Sequence, residues 1–110
     1  MKLIIAIVQD EDSSRLLTKL MEEGFGVTKL ATTGGFLRSG NTTLLLGVEE
    51  TRLDEAVKAI ESVCKSRQQI SGAASYPGGG VASSYASQPV NVTIGGATLF
   101  ILSVDQFMKI

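Results

Sequence analysis

The spacing of apolar residues switches along this chain between continuous, helical and alternating, and each switch marks an element. Leu3 to Val8 is continuously apolar and rich in β-branched residues. That reads as a strand covered on both faces, hence central in its sheet. Asp12 or Ser13 is then placed to cap a helix whose Leu16, Leu17, Leu20 and Met21 fall on one stripe, with Gly24 at the C′ position. Asp10, Glu11 and Asp12 read as a solvated turn whose charge suits the positive end of the helix dipole. Phe25 to Thr33 reads as a second strand of imperfect alternation, with Lys29 toward solvent or a ligand. Thr42, Leu44, Leu46 and Val48 alternate cleanly on a third strand. Thr51, with Asp54 three residues on, caps a second helix whose apolar face is Leu53, Ala56, Val57, Ile60, Val63 and Cys64.

After that helix the pattern is lost. From Ser66 to Pro89 the chain is rich in Gly, Ser, Ala and Gln and has no sustained period, so residues 66–89 read as a long loop. Val90, Val92 and Ile94 alternate again on a fourth strand, and Gly95-Gly96 reads as a tight turn into a fifth, Ala97 to Val104. Asp105 is placed to cap a last turn carrying Phe107 and Ile110.

The predicted order is β-α-β-β-α-β with an extra C-terminal hairpin. That is the ferredoxin-like α+β pattern, with two helices on one face of an antiparallel sheet. With 110 residues, one domain spanning 1–110 is expected. No third layer is apparent, and Leu45, on the face opposite Leu44, is apolar. Association of several copies through their sheet faces is the natural way to cover that side.

Composition narrows the chemistry. The formal net charge is −1, which lacks the basic excess of a general nucleic-acid binder. There is no histidine, which removes the commonest general base and the commonest metal ligand. The single cysteine, Cys64, excludes an internal disulfide and fits a reducing, cytoplasmic setting. It belongs to a helix's apolar face with no activating neighbour in the pattern, so it reads as core. The apolar run at the N-terminus is too short for a leader or a membrane span, and no membrane insertion is expected. Asp10, Glu49 and Glu50 have no partner spaced to tune them, so neither a catalytic nor a metal site emerges.

The candidate chemistry lies in Ala31-Thr32-Thr33-Gly34-Gly35-Phe36-Leu37-Arg38-Ser39-Gly40-Asn41-Thr42-Thr43. Its glycines allow close approach to a ligand, and successive backbone N–H groups there can cup an anion. Phe36 offers a flat face for a base, Asn41 a donor beside an acceptor, and Arg38 a cation. The same residues also fit a plain hairpin tip, with residues 34–40 as a short loop between strands two and three and with Phe36 and Leu37 folded onto the core. Gly47, in a strand, marks either a ligand wall or tight packing against a neighbour.

The run from Val27 to Arg38, followed by Gly40-Asn41-Thr42-Thr43, resembles the signature of the PII-like cyclic di-AMP receptors of Gram-positive bacteria. The resemblance extends over essentially the whole chain, including Met1 to Ile4, Val8-Gln9-Asp10, Gly47-Val48-Glu49, and Val92 to Phe100 with its Gly95-Gly96-Ala97-Thr98. It implies a PII-type homotrimer with three sites between subunits. It further implies a non-catalytic receptor that uses no cofactor and relays its signal by loop rearrangement to an unidentified downstream protein. Carried over position by position, Thr28 contacts phosphate, and Phe36 stacks on adenine with Gly35 and Leu37 beside it. Asn41 pairs with an adenine edge, as a side-chain amide does in DNA readout. Gly47 leaves room for the ligand, and Arg38 adds a polar contact. Phe100 joins the cleft from the same or a neighbouring subunit.

Members of that family commonly carry an arginine two residues before the threonine, where this chain has Gly26. A missing charge-assisted hydrogen bond of about 1.5–3 kcal/mol implies an affinity tenfold or more lower, unless Lys29 or Arg38 substitutes. Two other readings share the fold. One is a PII-type regulator binding ATP, but the Gly-Gly-Phe-Leu-Arg segment resembles the cyclic di-AMP branch instead. An RNA-binding module shows aromatics on its central strands, and Leu3–Val8 and Thr42–Val48 contain none.

Overall fold

The computed structural model describes residues 1–30, 40–71 and 90–110. Its elements are β1 (Lys2–Gln9), α1 (Asp10–Glu22), β2 (Val27–Leu30), β3 (Asn41–Val48), a 3₁₀ turn (Glu50–Arg52), α2 (Leu53–Cys64), β4 (Arg67–Ser71), β5 (Val90–Ile94) and β6 (Ala97–Ser103). Four strands form an antiparallel sheet in the order β2-β3-β1-β6, and β4 and β5 form a separate two-stranded ribbon. The mixed α+β architecture with two helices is as expected, and β6 takes the outer position beside β1 that closes the ferredoxin-like order.

Alternation along the strands separates two faces. Ile4, Ala6 and Val8 of β1 and Leu44, Leu46 and Val48 of β3 are buried under the helices. Leu16 and Leu20 from α1 and Ala56, Ala59, Ile60 and Cys64 from α2 complete that core, with Phe25 beneath the end of α1. Helix α1 ends as its glycine predicts. Gly24 has φ +84°, its amide donates to the Met21 carbonyl at 3.0 Å, and the Phe25 amide reaches back to Leu20 at 2.9 Å. That is a Schellman closure. Arg52 braces the same corner, with its guanidinium 4.1 Å from the Phe25 ring centre and an N–H on the Glu23 carbonyl at 2.6 Å.

Several expectations are corrected. The extra C-terminal hairpin is not formed between the fourth and fifth predicted strands. Val90–Ile94 pairs with Arg67–Ser71, and Ala97–Ser103 pairs with β1. Gly95-Gly96 is therefore a corner between two sheets. The segment read as a loop from residue 66 opens with a strand, which no period announced because its resolved side chains mostly face solvent on both sides of the ribbon. Residues 72–89, the rest of that segment, lie outside the described residues. Neither helix start carries a side-chain cap. Helix α1 begins at Asp10, ahead of Asp12 and Ser13, and a 3₁₀ turn displaces Thr51 from the α2 N-cap. Met21 is 67% exposed and off the apolar stripe, and no turn of helix forms over residues 105–110.

Candidate functional site

Among the described residues, no helix covers the second face of the sheet. Leu3, Ile5 and Ile7 of β1, Leu45 of β3, Leu30 of β2, and Phe100 and Leu102 of β6 point to this side. Phe100 and Leu102 are 52% and 45% exposed. Apolar residues in both phases of β1 were the sequence signal for this face, because a strand with one wet side would alternate.

The described members of the predicted site gather on it. Thr28 is paired with Leu45, Asn41 with Gln9, and Gly47 with Leu3, while Phe100 lies opposite Ile5. Register places Phe100, Ile5, Leu45 and Thr28 in one row across all four strands. Three strand spacings separate its ends by about 14 Å. Within one chain, then, Phe100 and Thr28 stand at opposite edges of the sheet. Asn41 opens β3 on the exposed rim, and Gly26 sits just before β2 with open space where a Cβ would be. Gly47 interrupts neither register nor pairing. A Cβ there would meet the Met1 sulfur at an ordinary 3.7 Å, so local crowding does not require the glycine. Gly35, Phe36, Leu37 and Arg38, and the rest of the 34–40 loop before Gly40, lie outside the described residues.

Lys29 and Thr28 project to opposite sides of the sheet. Lys29 is the register partner of Leu44 and therefore projects on the helix side. A shallow groove of about 240 Å³ between α2 and β6, largely apolar but with Glu61 and Lys65 in its lining, also lies on the helix side and contains none of the predicted residues.

The start of α1 holds more than the sequence reading placed there. Asp10 clasps the strand entry: its amide donates to the Gly40 carbonyl at 2.8 Å, and its carboxylate accepts the Thr42 hydroxyl. Asp12, read as solvated, is fully buried. It accepts from Arg67 at 2.8 and 3.3 Å and from Arg15 at 2.7 Å. The Arg67 hydrogen bonds, with help from Arg15, hold its carboxyl below the usual carboxylate range against the opposing effect of burial. A lone basic residue in a polar segment gave no sign that Arg67 seeks this carboxylate. Burial, and then the Asp12 charge, push the Cys64 thiol up to about 11, which keeps it a packed thiol and not a nucleophile. Among the described residues, no group of three or more His, Cys, Asp or Glu side chains could hold a metal ion, and no helix is long and apolar enough to cross a membrane.

The model of the cyclic-di-AMP receptor family matches residues 1–110, the whole length of the chain. The chain belongs to the cyclic-di-AMP receptor family. A crystal structure of a functionally unknown protein from Pediococcus pentosaceus superposes on it with a TM-score of 0.75 at 39% identity, covering 99% of this chain and 96% of that one. The family is one of binding and signalling. In this family member, Thr28, Asn41, Gly47 and Phe100 share the exposed sheet face, with Thr28 and Phe100 at its opposite edges.

Proposed function

We propose that this chain is a non-catalytic cytoplasmic receptor for cyclic di-AMP that works as a homotrimer of PII-like subunits. The dinucleotide sits in clefts between neighbouring subunits, and its binding is relayed by rearrangement around the cleft to a downstream protein. The observation that carries the reading is the row across the open face. Thr28 and Phe100 lie on the same side of the sheet but at its two edges, so one ligand touches both most simply when two copies contribute them. An apolar face of this extent favours covering by other copies of the chain. Within the cleft, Thr28 meets phosphate, Asn41 pairs with an adenine edge, and Phe36 stacks on an adenine with Gly35 and Leu37 contributing backbone and wall. Arg38 supplies the positive charge that Gly26 does not, and Gly47 leaves room for the ligand. No bond in the ligand is broken, since the site residues include no acid–base pair and no activated nucleophile.

Calorimetry tests this directly. Cyclic di-AMP titrated into the purified protein should bind at one molecule per subunit, with ATP and cyclic di-GMP giving at most weak heats. Sedimentation should give three chains per particle, and the ligand should be recovered unchanged after long incubation. A folded protein with no saturable heat from cyclic di-AMP overturns the proposal. Saturable binding of ATP alone would favour the PII-type regulator instead, and a salt-dependent shift with single-stranded RNA would favour an RNA-binding module.

A further inference from the structure

The first turn of α1 touches two parts of the molecule that the topology otherwise separates. On one side, the Asp10 amide and carboxylate hold Gly40 and Thr42, the residues flanking Asn41. On the other, Asp12 holds Arg67, the first residue of β4, and the Gln9 side-chain oxygen accepts the Gly95 amide at 2.8 Å, just past the end of β5. Arg67 and Gly95 are the two roots of the β4–β5 ribbon. Gln9 belongs to both sides. It is the register partner of Asn41, and their side chains share the open face as neighbours about 5 Å apart at Cβ.

The ribbon root has little slack. Gly95 has φ +81°, and a Cβ there would lie 2.5 Å from the Arg67 guanidinium and 2.8 Å from the Lys65 carbonyl. The Gly96 amide is bonded to the Cys64 carbonyl. A primary amide carries its acceptor and its two donors on one rigid plane. With the oxygen committed to Gly95, turning the Gln9 amide toward a new partner beside Asn41 re-aims or breaks that bond. The closely packed root then passes the change into β5 and Arg67.

We infer that Gln9 is a positioning residue that couples purine-dinucleotide occupancy beside Asn41 to the pairing of the β4–β5 ribbon. The inference rests on the receptor reading above. Coupling of this kind is reciprocal, so whatever the ligand does to the ribbon, the state of the ribbon does to affinity.

Amide hydrogen exchange with cyclic di-AMP as the probe tests it in the intact protein. In the unsubstituted chain, ligand should change exchange across 67–71 and 90–95 by about fivefold or more. Gln9→Ala should raise exchange at Gly95 about fivefold without ligand, and should abolish the ligand-dependent change while calorimetry still registers binding. Gln9→Glu keeps an acceptor for the Gly95 amide but has no N–H donor to turn toward the ligand, so it should hold exchange at Gly95 near the unsubstituted value without restoring the response. Gln68→Ala removes the ribbon's own Gln68–Thr93 bond at 2.9 Å. It should loosen the ribbon but keep its response to ligand, which separates coupling from simple weakening. A ribbon that still responds in Gln9→Ala, or that never responds in a chain that binds ligand, overturns the coupling and leaves the receptor reading standing. A chain that binds no cyclic di-AMP overturns both.

Discussion

The two faces of the four-stranded sheet are built from alternate residues of the same strands, yet they do different work. Leu44 and Leu45 are neighbours on β3: Leu44 is fully buried beneath the helices, and Leu45 faces the uncovered side. The helix side is closed within one chain, because α1 and α2 bring enough apolar surface to fill it. The other side is also apolar, none of the described elements covers it, and Thr28, Asn41, Gly47 and Phe100 stand along it. One face carries the core of the chain; on the proposed reading, the other meets neighbouring copies and the ligand.

That contrast can be broken by substituting adjacent residues. Leu44→Ala removes a fully buried side chain and should cost about 3–5 kcal/mol of folding stability, read by urea unfolding. Leu45→Lys, one residue on, should leave the subunit folded but weaken association by about 2 kcal/mol or more per copy, because a charge is carried into an apolar contact. Sedimentation should then show single chains with an unchanged far-ultraviolet circular dichroism spectrum. Equal loss of folding in both variants would mean that the two faces are not distinct in role.

On the ligand side, Asn41→Ala and Phe36→Ala should each weaken cyclic di-AMP binding by about 1–3 kcal/mol in calorimetry with the unfolding midpoint unchanged. The converse substitution sharpens the comparison. Gly26 has no left-handed φ and nothing within 4 Å of a built Cβ, so an arginine is accommodated there. Gly26→Arg should leave stability unchanged and tighten binding about tenfold, the worth of one charge-assisted hydrogen bond to phosphate. No gain in affinity would place position 26 away from the ligand's phosphates.

The two faces were also unequally legible in the sequence. The helix-covered core could be read almost residue by residue, since Ile4, Leu16, Leu20, Leu44, Leu46 and Ile60 follow the period of the element that carries them. The open face was legible only indirectly, through the continuous apolar run of β1. Grouping Thr28, Asn41, Gly47 and Phe100 there required strand register, which depends on pairings far apart in the chain. The β4–β5 ribbon was half hidden: Val90 to Ile94 alternates, but Arg67-Gln68-Gln69 contributes long polar side chains and no apolar stripe. Its partner was misassigned because Gly95-Gly96 looks like a hairpin turn, whereas here it turns a corner. The acidic turn misled for a similar reason. Nothing local distinguishes a carboxylate that suits a helix dipole from one that is buried by an arginine 55 residues away.

That arginine supplies the smallest effect and a test of how the ribbon is held. The Arg67 and Arg15 contacts keep the folded-state pKa of Asp12 below its unfolded value. A carboxylate of this kind contributes stability that is fully present above the unfolded pKa, near 3.9, and is lost as pH falls through the lower folded value. The difference in unfolding free energy between the unsubstituted chain and Asp12→Asn should therefore be constant from pH 7 to about pH 5 and shrink below about pH 4. Arg67 is partly exposed, so solvent screening keeps the difference modest. Because Asp12 touches the ribbon through Arg67 and the core face through its own burial, acid should loosen exchange at 67–71 and 90–94 before it loosens β1 and β3. Simultaneous loosening of ribbon and sheet would mean that the ribbon is held chiefly by something other than this ion pair.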